Sequence, residues 1–231
     1  STQVKYLLAR NDDQLHLIAS SWSSIDSSNK TINKYLYKLS PNQIKNSIQN
    51  FVPTLSHSTV FFNKKKFIEI GGYRERLGTC QDIDLWLRFS NVGIIECLED
   101  DLVKVRLHDN QITNLDRKSQ LINSSIAFIC YILRKNSLDD PLDNYSKENY
   151  DRFKIFVESK LSKHFFTLQS DVNLLKKYLK KINLLYSFYY FFSIMLNYEK
   201  IKLYYYLKFK KYTYYNKIAL KWIDNEFKGN K

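Results

Sequence analysis

The sequence predicts an α/β domain over residues 1–117, followed by an all-α region over residues 118–231. In the first part, short apolar runs rich in β-branched and aromatic residues alternate with amphipathic stretches, as in a sheet packed with helices. In the second part, glycine is absent between Arg117 and Gly229 and proline occurs only as Pro141, so little interrupts a helix. Hydrophobic residues make up 44% of the 231 residues, which is enough to build a core.

The first part is predicted to contain short strands and helices separated by turn residues. Ser40 and Pro41 supply a helix start, because a hydroxyl cap is followed by a preset backbone angle. Gly71 supplies a helix stop, because glycine enters the left-handed conformation readily. Strands are predicted at residues 15–19, 32–39, 58–62, 94–98 and 102–107, and helices at residues 4–10, 42–50, 63–70 and 85–89.

The second part is predicted to be helical, with three or four helices. Apolar periodicity favours helices at residues 121–133, 148–166, 172–196 and 198–223. The uncharged run at 184–196 has 13 residues. A helix that spans a bilayer needs about 20. We therefore predict that this run is a buried helix or an interfacial helix.

Charge is distributed unevenly between the two parts. Residues 1–117 hold 15 Lys/Arg and 13 Asp/Glu, a net of +2, whereas residues 118–231 hold 21 and 10, a net of +11. Such a basic region indicates an anionic partner, although a solvated lysine-rich surface explains it equally well. The mixture of lysines and aromatic residues in 172–231 suggests peripheral membrane contact, with packing as a helical bundle as the alternative.

Cysteine usage and the first residues bear on localisation. Cys80, Cys97 and Cys130 show neither C-x-x-C nor paired spacing, which favours a reducing compartment, most simply the cytoplasm. Residues 1–20 carry charges without the apolar core of a signal peptide. Because the first residue is Ser and not Met, we expect a fragment or a processed chain.

Asp82 is the candidate functional group that the local pattern selects. The helix that follows it carries three large apolar residues on one inward face: Leu85, Trp86 and Phe89. If the helix begins near Gln81, Asp82 lies at the rim of that face. A carboxylate there accepts free backbone N–H groups and is favoured by the helix dipole, as suits a general base. An acidic residue that only stabilises the helix start fits the same pattern.

Four motifs occur in a recurring order between residues 57 and 113. They are H-S-T-V-F-F-N-K at 57–64, G-G-Y-R-E at 71–75, Q-D-I-D-L-W-L-R at 81–88 and R-L-H-D-N-Q-I-T at 106–113. In this order they resemble the acceptor-side part of a family-2 glycosyltransferase of the GT-A type. The resemblance covers about residues 1–117 and implies a partial GT-A-like mixed sheet with helices. It does not extend to the helical region.

The resemblance implies an inverting sugar transfer in cell-surface polysaccharide biosynthesis. The donor would be a nucleotide sugar, and the acceptor a glycan or a lipid-linked glycan. Asp82 would remove the proton from the acceptor hydroxyl. Gln81 stands where the family carries Glu, so this position can form a hydrogen bond but carries no charge. Gly71 and Gly72 would let the backbone approach the sugar closely.

Further positions of the motifs are implied in the sugar pocket, namely His57, Asp84 and Trp86. Each also has an ordinary structural explanation. Trp86 fits the core, His57 fits a structural role, and Asp84 fits an i,i+4 ion pair with Arg88 on the helix surface. His108 follows a predicted strand, and the resemblance implies that it reaches the metal or the diphosphate of the donor.

The resemblance also implies a divalent metal, Mn²⁺ or Mg²⁺, held by an Asp-x-Asp motif at a strand end. The acidic pairs of this chain lie in other contexts: Asp82 with Asp84 at a helix start, Asp12 with Asp13 after a helix, and Asp100 with Asp101 in a predicted loop. We therefore expect the metal motif and the nucleotide-binding half upstream of Ser1, and expect this chain alone to be inactive.

A different class of function stays open beside the enzyme. Residues 172–231 could form a non-catalytic basic and aromatic module that binds nucleic acid or a membrane surface. Nucleic acid is the less favoured partner, because the region carries no recognisable RNA-binding motif and the four ordered motifs would be left unexplained. We expect a cytoplasmic protein, or one bound peripherally to the inner face of the cytoplasmic membrane.

Overall fold

The computed structural model describes residues 1–52, 54–108, 111, 116–161 and 210–228. The chain forms two compact units, Ser1–Ala127 and Phe128–Lys231. The first unit contains a four-stranded mixed sheet with helices, and the described part of the second is helical. The predicted fold class, an α/β domain followed by helices, is confirmed.

The sheet is organised around one long strand, β1 (Leu15–Ile25). Two antiparallel neighbours, β2 (Thr31–Tyr35) and β3 (Phe61–Phe62), pair with its C-terminal and N-terminal halves. The parallel neighbour β4 (Ile94–Arg106) pairs along the whole of β1. Since β4 covers one edge of β1 from end to end, β2 and β3 share the other edge.

The prediction that β1 ends at residue 19 is wrong. The strand continues for six more residues, which include four serines that are at most 1% exposed: Ser20, Ser21, Ser23 and Ser24. Serine is a weak strand former, so the apolar run that predicted the strand ended at Ala19. The pairing of β1 on both edges overrides this preference. Two hydroxyls also bond to β4, Ser21 to the Leu98 carbonyl and Ser23 to the Asp101 carboxylate.

Strand β4 combines the two strands predicted at 94–98 and 102–107. Ser20 of β1 pairs with Leu98, and the next residue, Ser21, pairs with Asp101. The two residues in between form a bulge, which is where the acidic sequence suggested a break. Two other strand bounds were also wrong: β2 ends at Tyr35 and not at residue 39, and a 3₁₀ turn, His57–Thr59, replaces the start of the strand predicted at 58–62.

The helices of the first unit begin and end largely where local signals place them. They are α1 (Thr2–Arg10), α2 (Pro41–Gln49), α3 (Lys64–Glu69) and α4 (Gln81–Val92). At α2, Ser40 Oγ accepts from the Gln43 amide and Gln43 Oε1 accepts from the Ser40 amide, which completes a capping box. Helix α4 begins at Gln81, where the pattern around Asp82 placed its start, but it ends at Val92, beyond the predicted end at residue 89.

Gly93 joins α4 to β4 at a tightly packed point. A Cβ on this residue would collide with the His16 ring and lie 2.8 Å from the Gln14 carbonyl oxygen. The same carbonyl accepts a 2.7 Å hydrogen bond from the Ile94 amide. Glycine is therefore required by close approach at this joint, not by its backbone angle, which is extended.

Three described helices follow: α5 (Arg117–Lys135), α6 (Lys147–Lys160) and α7 (Lys211–Lys228). In the second unit, the indole of Trp222 on α7 packs 5.2 Å from the ring of Phe153 and donates to the Tyr145 hydroxyl over 3.1 Å. The helix predicted at 172–196, its uncharged run, and residues 198–209 of the helix predicted at 198–223 lie outside the described residues. None of the described helices is both long enough and apolar enough to cross a membrane.

Candidate active site

Helix α4 is buried on all sides between its first turn and its last two residues, Asn91 and Val92, which are exposed. Every residue from 84 to 90 is buried, so a single inward face underestimates how deeply the helix is embedded. Asp82 lies in the first turn and is half-buried. Its Oδ1 accepts from the Ile83 amide over 2.9 Å, which is the helix-start bonding that the sequence predicted. The structure therefore places this carboxylate at the point where α4 reaches the surface.

The negative charge of Asp82 raises the pKa of two nearby side chains, Tyr73 and Cys80. Burial raises the pKa of the Tyr73 phenol, and the charge of Asp82 raises it further. Burial and the same charge raise the pKa of the Cys80 thiol to about 11. Both groups therefore stay protonated at neutral pH, and the Tyr73 hydroxyl can donate a hydrogen bond.

Tyr73, whose phenol senses the charge of Asp82, contacts His57 directly. The Tyr73 hydroxyl and His57 Nε2 lie 2.8 Å apart and share a hydrogen bond, although the residues are 16 positions apart in the chain. The edge of the buried Trp86 ring meets the exposed His57 ring at 5.9 Å between centroids. Tyr73 was missed as a functional residue, although its position in the G-G-Y motif was a signal that could have identified it.

A row of aromatic rings supports Tyr73 from the core side. Its ring meets Phe67 edge-on at 5.2 Å, Phe67 stacks on Phe62 at 4.9 Å, and Phe62 contacts Phe89 at 5.7 Å. Since Phe89 is fully buried on α4, the row ties Tyr73 to the same helix that carries Asp82.

Gly71 and Gly72 form the turn that leads from α3 to Tyr73. Both have left-handed backbone angles, with φ of 86° and 61°. The Gly71 amide donates to the Ile68 carbonyl over 3.0 Å and the Gly72 amide to the Phe67 carbonyl over 2.9 Å, the bonding of a Schellman stop. The predicted role of Gly71 as a helix stop is confirmed. The close approach of either glycine to a sugar stays a prediction.

Arg88 holds this turn from the body of α4. Its Nη1 donates to the Ile70 carbonyl over 2.5 Å, and its Nη2 donates to the Gly72 carbonyl over 2.6 Å. Its Nε donates to Asp84 Oδ2 over 2.9 Å. The expected ion pair between Asp84 and Arg88 exists, but its placement on the helix surface is wrong, because Asp84 is 0% and Arg88 6% exposed.

Asp84 and Trp86 lie behind the surface of the candidate site. Asp84 also binds Arg74 of the turn, with 3.3 Å between Oδ1 and Nη1, and has no exposed surface with which to touch a sugar. Trp86 is 5% exposed and belongs to the core, the ordinary explanation of its pattern. Both residues are therefore buried in this structure, in contrast to the pocket lining that the resemblance implied.

His108 lies in a different part of the first unit. It follows β4, and Arg106 at the end of β4 pairs with Ile25 of β1. The strand that follows His57 pairs with Ile18 of β1. These two positions on β1 are separated by about 20 Å of strand. The structure thus brings His57 to the candidate site, together with the half-buried Gln81 at the start of α4, and leaves His108 near the far end of the sheet.

The described residues do not form a set of metal ligands. No group of three or more His, Cys, Asp or Glu side chains converges within the part of the chain that the structure describes. Asp82 and Asp84 point to different environments, one at the surface and one in the core. The expected divalent metal therefore has no ligand set among these residues.

Models of known protein families and curated protein sequences give no match to this chain. The resemblance to family-2 glycosyltransferases thus rests on the four motifs. The geometry adds a carboxylate at a helix start, an exposed histidine and a half-buried tyrosine beside it, and a rigid turn behind them. Such an arrangement can bind a polar ligand and accept a proton from a hydroxyl group held against the carboxylate.

Proposed function

We propose that this chain is the acceptor-side part of an inverting glycosyltransferase, with Asp82 as the general base. The enzyme would transfer a sugar from a nucleotide-sugar donor to a glycan or lipid-linked acceptor in cell-surface polysaccharide biosynthesis. The observation that carries the proposal is the position of Asp82. This residue is half-buried at the start of α4, and its charge raises the pKa of the Tyr73 phenol.

The proposed step is a direct displacement. The Asp82 carboxylate takes the proton of an acceptor hydroxyl while the acceptor oxygen forms a bond to the anomeric carbon of the donor sugar. On the opposite face, the bond from that carbon to the phosphate oxygen breaks, and the nucleoside diphosphate leaves with the electron pair. The configuration at the anomeric carbon therefore inverts.

The chain's own residues would support this step in two ways. The Ile83 amide donates to Asp82 Oδ1 over 2.9 Å and holds the carboxylate in place at the start of α4. The exposed His57 ring and Tyr73 offer aromatic faces and polar edges to the acceptor sugar. The described residues supply no ligand set for the divalent metal that is expected for the complete enzyme.

The test replaces Asp82 with Asn, which keeps the shape and removes the base. The resemblance implies a nucleotide-binding half that these residues do not include. The assay therefore uses the protein from the longest reading frame that contains them. Nucleoside diphosphate released from a panel of nucleotide sugars is measured with an oligosaccharide or lipid-linked acceptor. We expect Asp82→Asn to lower turnover by about 10²–10⁴-fold while donor binding persists.

The control is Asp13→Asn, which removes an exposed carboxylate outside the site and is expected to leave turnover unchanged. Turnover retained by Asp82→Asn would remove this residue from the role of base. A protein that releases no nucleoside diphosphate from any donor would contradict the enzymatic proposal as a whole.

We also propose a peripheral membrane contact through residues 172–231, at the inner face of the cytoplasmic membrane. The support is the mixture of lysines and aromatic residues in this range, which holds 13 Lys and three acidic residues, a net of +10. Flotation with vesicles containing anionic lipid, compared with neutral vesicles, tests it at low salt. Binding to anionic vesicles is expected, and a protein that stays in the soluble fraction with both would contradict the contact. Salt-dependent binding of a labelled oligonucleotide without vesicle binding would favour the nucleic-acid module instead.

A further inference from the structure

Arg88 spans the glycine turn with one guanidinium group. Its two terminal nitrogens donate to the carbonyls of Ile70 and Gly72, at 2.5 and 2.6 Å. These carbonyls lie on either side of Gly71, whose left-handed angle reverses the chain. A planar guanidinium offers donors in a fixed geometry, so the two bonds fix both the position and the orientation of the turn.

Asp84 joins this arginine to a second one on the other side of the turn. Oδ2 of Asp84 receives Arg88, and Oδ1 lies 3.3 Å from Nη1 of Arg74. The side chains of Asp84, Arg74 and Arg88 are at most 8% exposed. Because the carboxylate belongs to the first turns of α4, it connects the segment around Gly72 to the same stretch of helix that carries Asp82.

Tyr73 is the residue between these two attachments. Gly72 before it is held by Arg88, and Arg74 after it is held by Asp84. The Tyr73 side chain then extends to His57, and its hydroxyl forms the 2.8 Å hydrogen bond with His57 Nε2. We propose that Arg88 is a positioning residue, which acts through the turn to place the Tyr73 hydroxyl on His57 beside Asp82.

The role assigned to Arg88 rests on the proposed function in one respect only, the use of Asp82 as a base. Arg88 touches no reacting group itself. It holds the backbone that carries Tyr73, so that the acceptor sugar meets the tyrosine and histidine rings in one fixed arrangement. Substrate pre-organisation of this kind lowers the entropic cost of reaching the transition state.

The experiment reads the His57 ring directly in the 231-residue chain without substrate. The chain has four histidines, so long-range proton–nitrogen correlation spectra of their rings are simple, and His57→Gln identifies the His57 signals. We compare Arg88→Lys, which keeps the charge and loses the two-pronged geometry, with Tyr73→Phe, which removes only the hydroxyl. We expect both to move the Nε2 resonance of His57 in the same direction and by comparable amounts.

The matched control is Arg106→Lys. Arg106 also donates from two nitrogens to two oxygens, those of Asp26 and Asn29, but near the end of β1 that is remote from His57. It is expected to leave the His57 resonance unchanged, so a general loss of rigidity is separated from positioning. If Arg88→Lys does not fold, Arg74→Lys provides the same comparison from the other attachment.

Three outcomes would overturn the inference. The His57 resonance could stay at its wild-type position in a folded Arg88→Lys protein, it could move equally in Arg106→Lys, or Tyr73→Phe could leave it unchanged. None of these depends on sugar transfer. A positive result here together with full activity of Asp82→Asn would contradict the proposed function and leave the positioning intact.

Discussion

Two turns of the first unit are held by arginine in the same way but in opposite surroundings. The glycine turn, residues 70–74, receives two donors from Arg88, and the hairpin turn, residues 26–30, receives two donors from Arg106 at 2.5 and 2.6 Å. Arg88 is 6% exposed, whereas Arg106 is an exposed residue.

The difference lies in how each charge is balanced. Arg88 is paired with the fully buried carboxylate of Asp84, whereas the hairpin carboxylate, Asp26, is only partly buried and mainly bonds the turn's own Ser28 and Lys30. A buried charge is costly when its partner is lost, and an exposed one is rehydrated. The pair of hydrogen bonds from arginine is therefore essential to the stability of the glycine turn, whereas the hairpin turn can lose its pair at little cost.

The largest effect is expected from Asp84→Asn. This change leaves two buried guanidinium groups without their carboxylate, so we expect the free energy of unfolding to fall by about 3–5 kcal/mol. Urea unfolding followed by circular dichroism measures it. Asp26→Asn in the hairpin is the control and should cause a much smaller change. A loss for Asp84→Asn as small as that of the control would show that burial makes no difference between the turns.

The next effect is expected at the backbone of the glycine turn. Gly72→Ala must adopt a left-handed angle, and its methyl group would lie 3.4 Å from the Phe67 ring. We expect a cost of about 1–2 kcal/mol in unfolding free energy. Gly71→Ala shares the angle but meets nothing within 4 Å, so it should cost slightly less. A neutral result for both would mean that the turn relaxes into another conformation.

A smaller effect is expected from Arg106→Met. Since this guanidinium is exposed, its loss should lower the free energy of unfolding by no more than about 1 kcal/mol. The corresponding change at Arg88 should cost several times more in the same unfolding experiment. Equal losses at the two arginines would remove the contrast between the two turns.

The smallest effect concerns pH at the hairpin. Hydrogen bonds from Ser28 and Lys30 lower the pKa of Asp26 below its usual range. Because the folded pKa is depressed, the stabilisation is complete above the unfolded value of about 3.9 and is lost as pH falls through the folded value. The difference in melting temperature between wild type and Asp26→Asn should therefore be constant near neutrality and vanish in acid. A difference that grows below pH 4 would contradict the assignment.

Elements with strong local signals could be predicted from the sequence. The capping box at Ser40 and the stop at Gly71 use neighbouring residues only, so α2 and the end of α3 follow from local chemistry. The four serines of β1 could not be recognised, because their strand conformation depends on partners far along the chain. The continuity of β4 was missed because a bulge resembles a loop in sequence.

The same distinction between local signals and long-range contacts applies to the candidate site. The helix-start position of Asp82 is a local property and could be predicted. The hydrogen bond between His57 and Tyr73 joins separate elements, so spacing alone gave no indication of it. The charged pair on α4 had the correct partners, but its burial depends on the turn that folds over it, and i,i+4 spacing carries no information about depth.

Gly93 and Asp82 lie at the two ends of α4, so a tilt of the helix about Gly93 displaces Asp82. The packing of Gly93 against His16 is the pivot, about 16 Å from the carboxylate. A tilt of only about 3–4° at the pivot would swing Asp82 by about 1 Å, a displacement that can cost about a hundredfold in rate. Under the proposed function, a methyl group added at Gly93 would therefore lower turnover from the opposite end of α4, with every group around Asp82 still present.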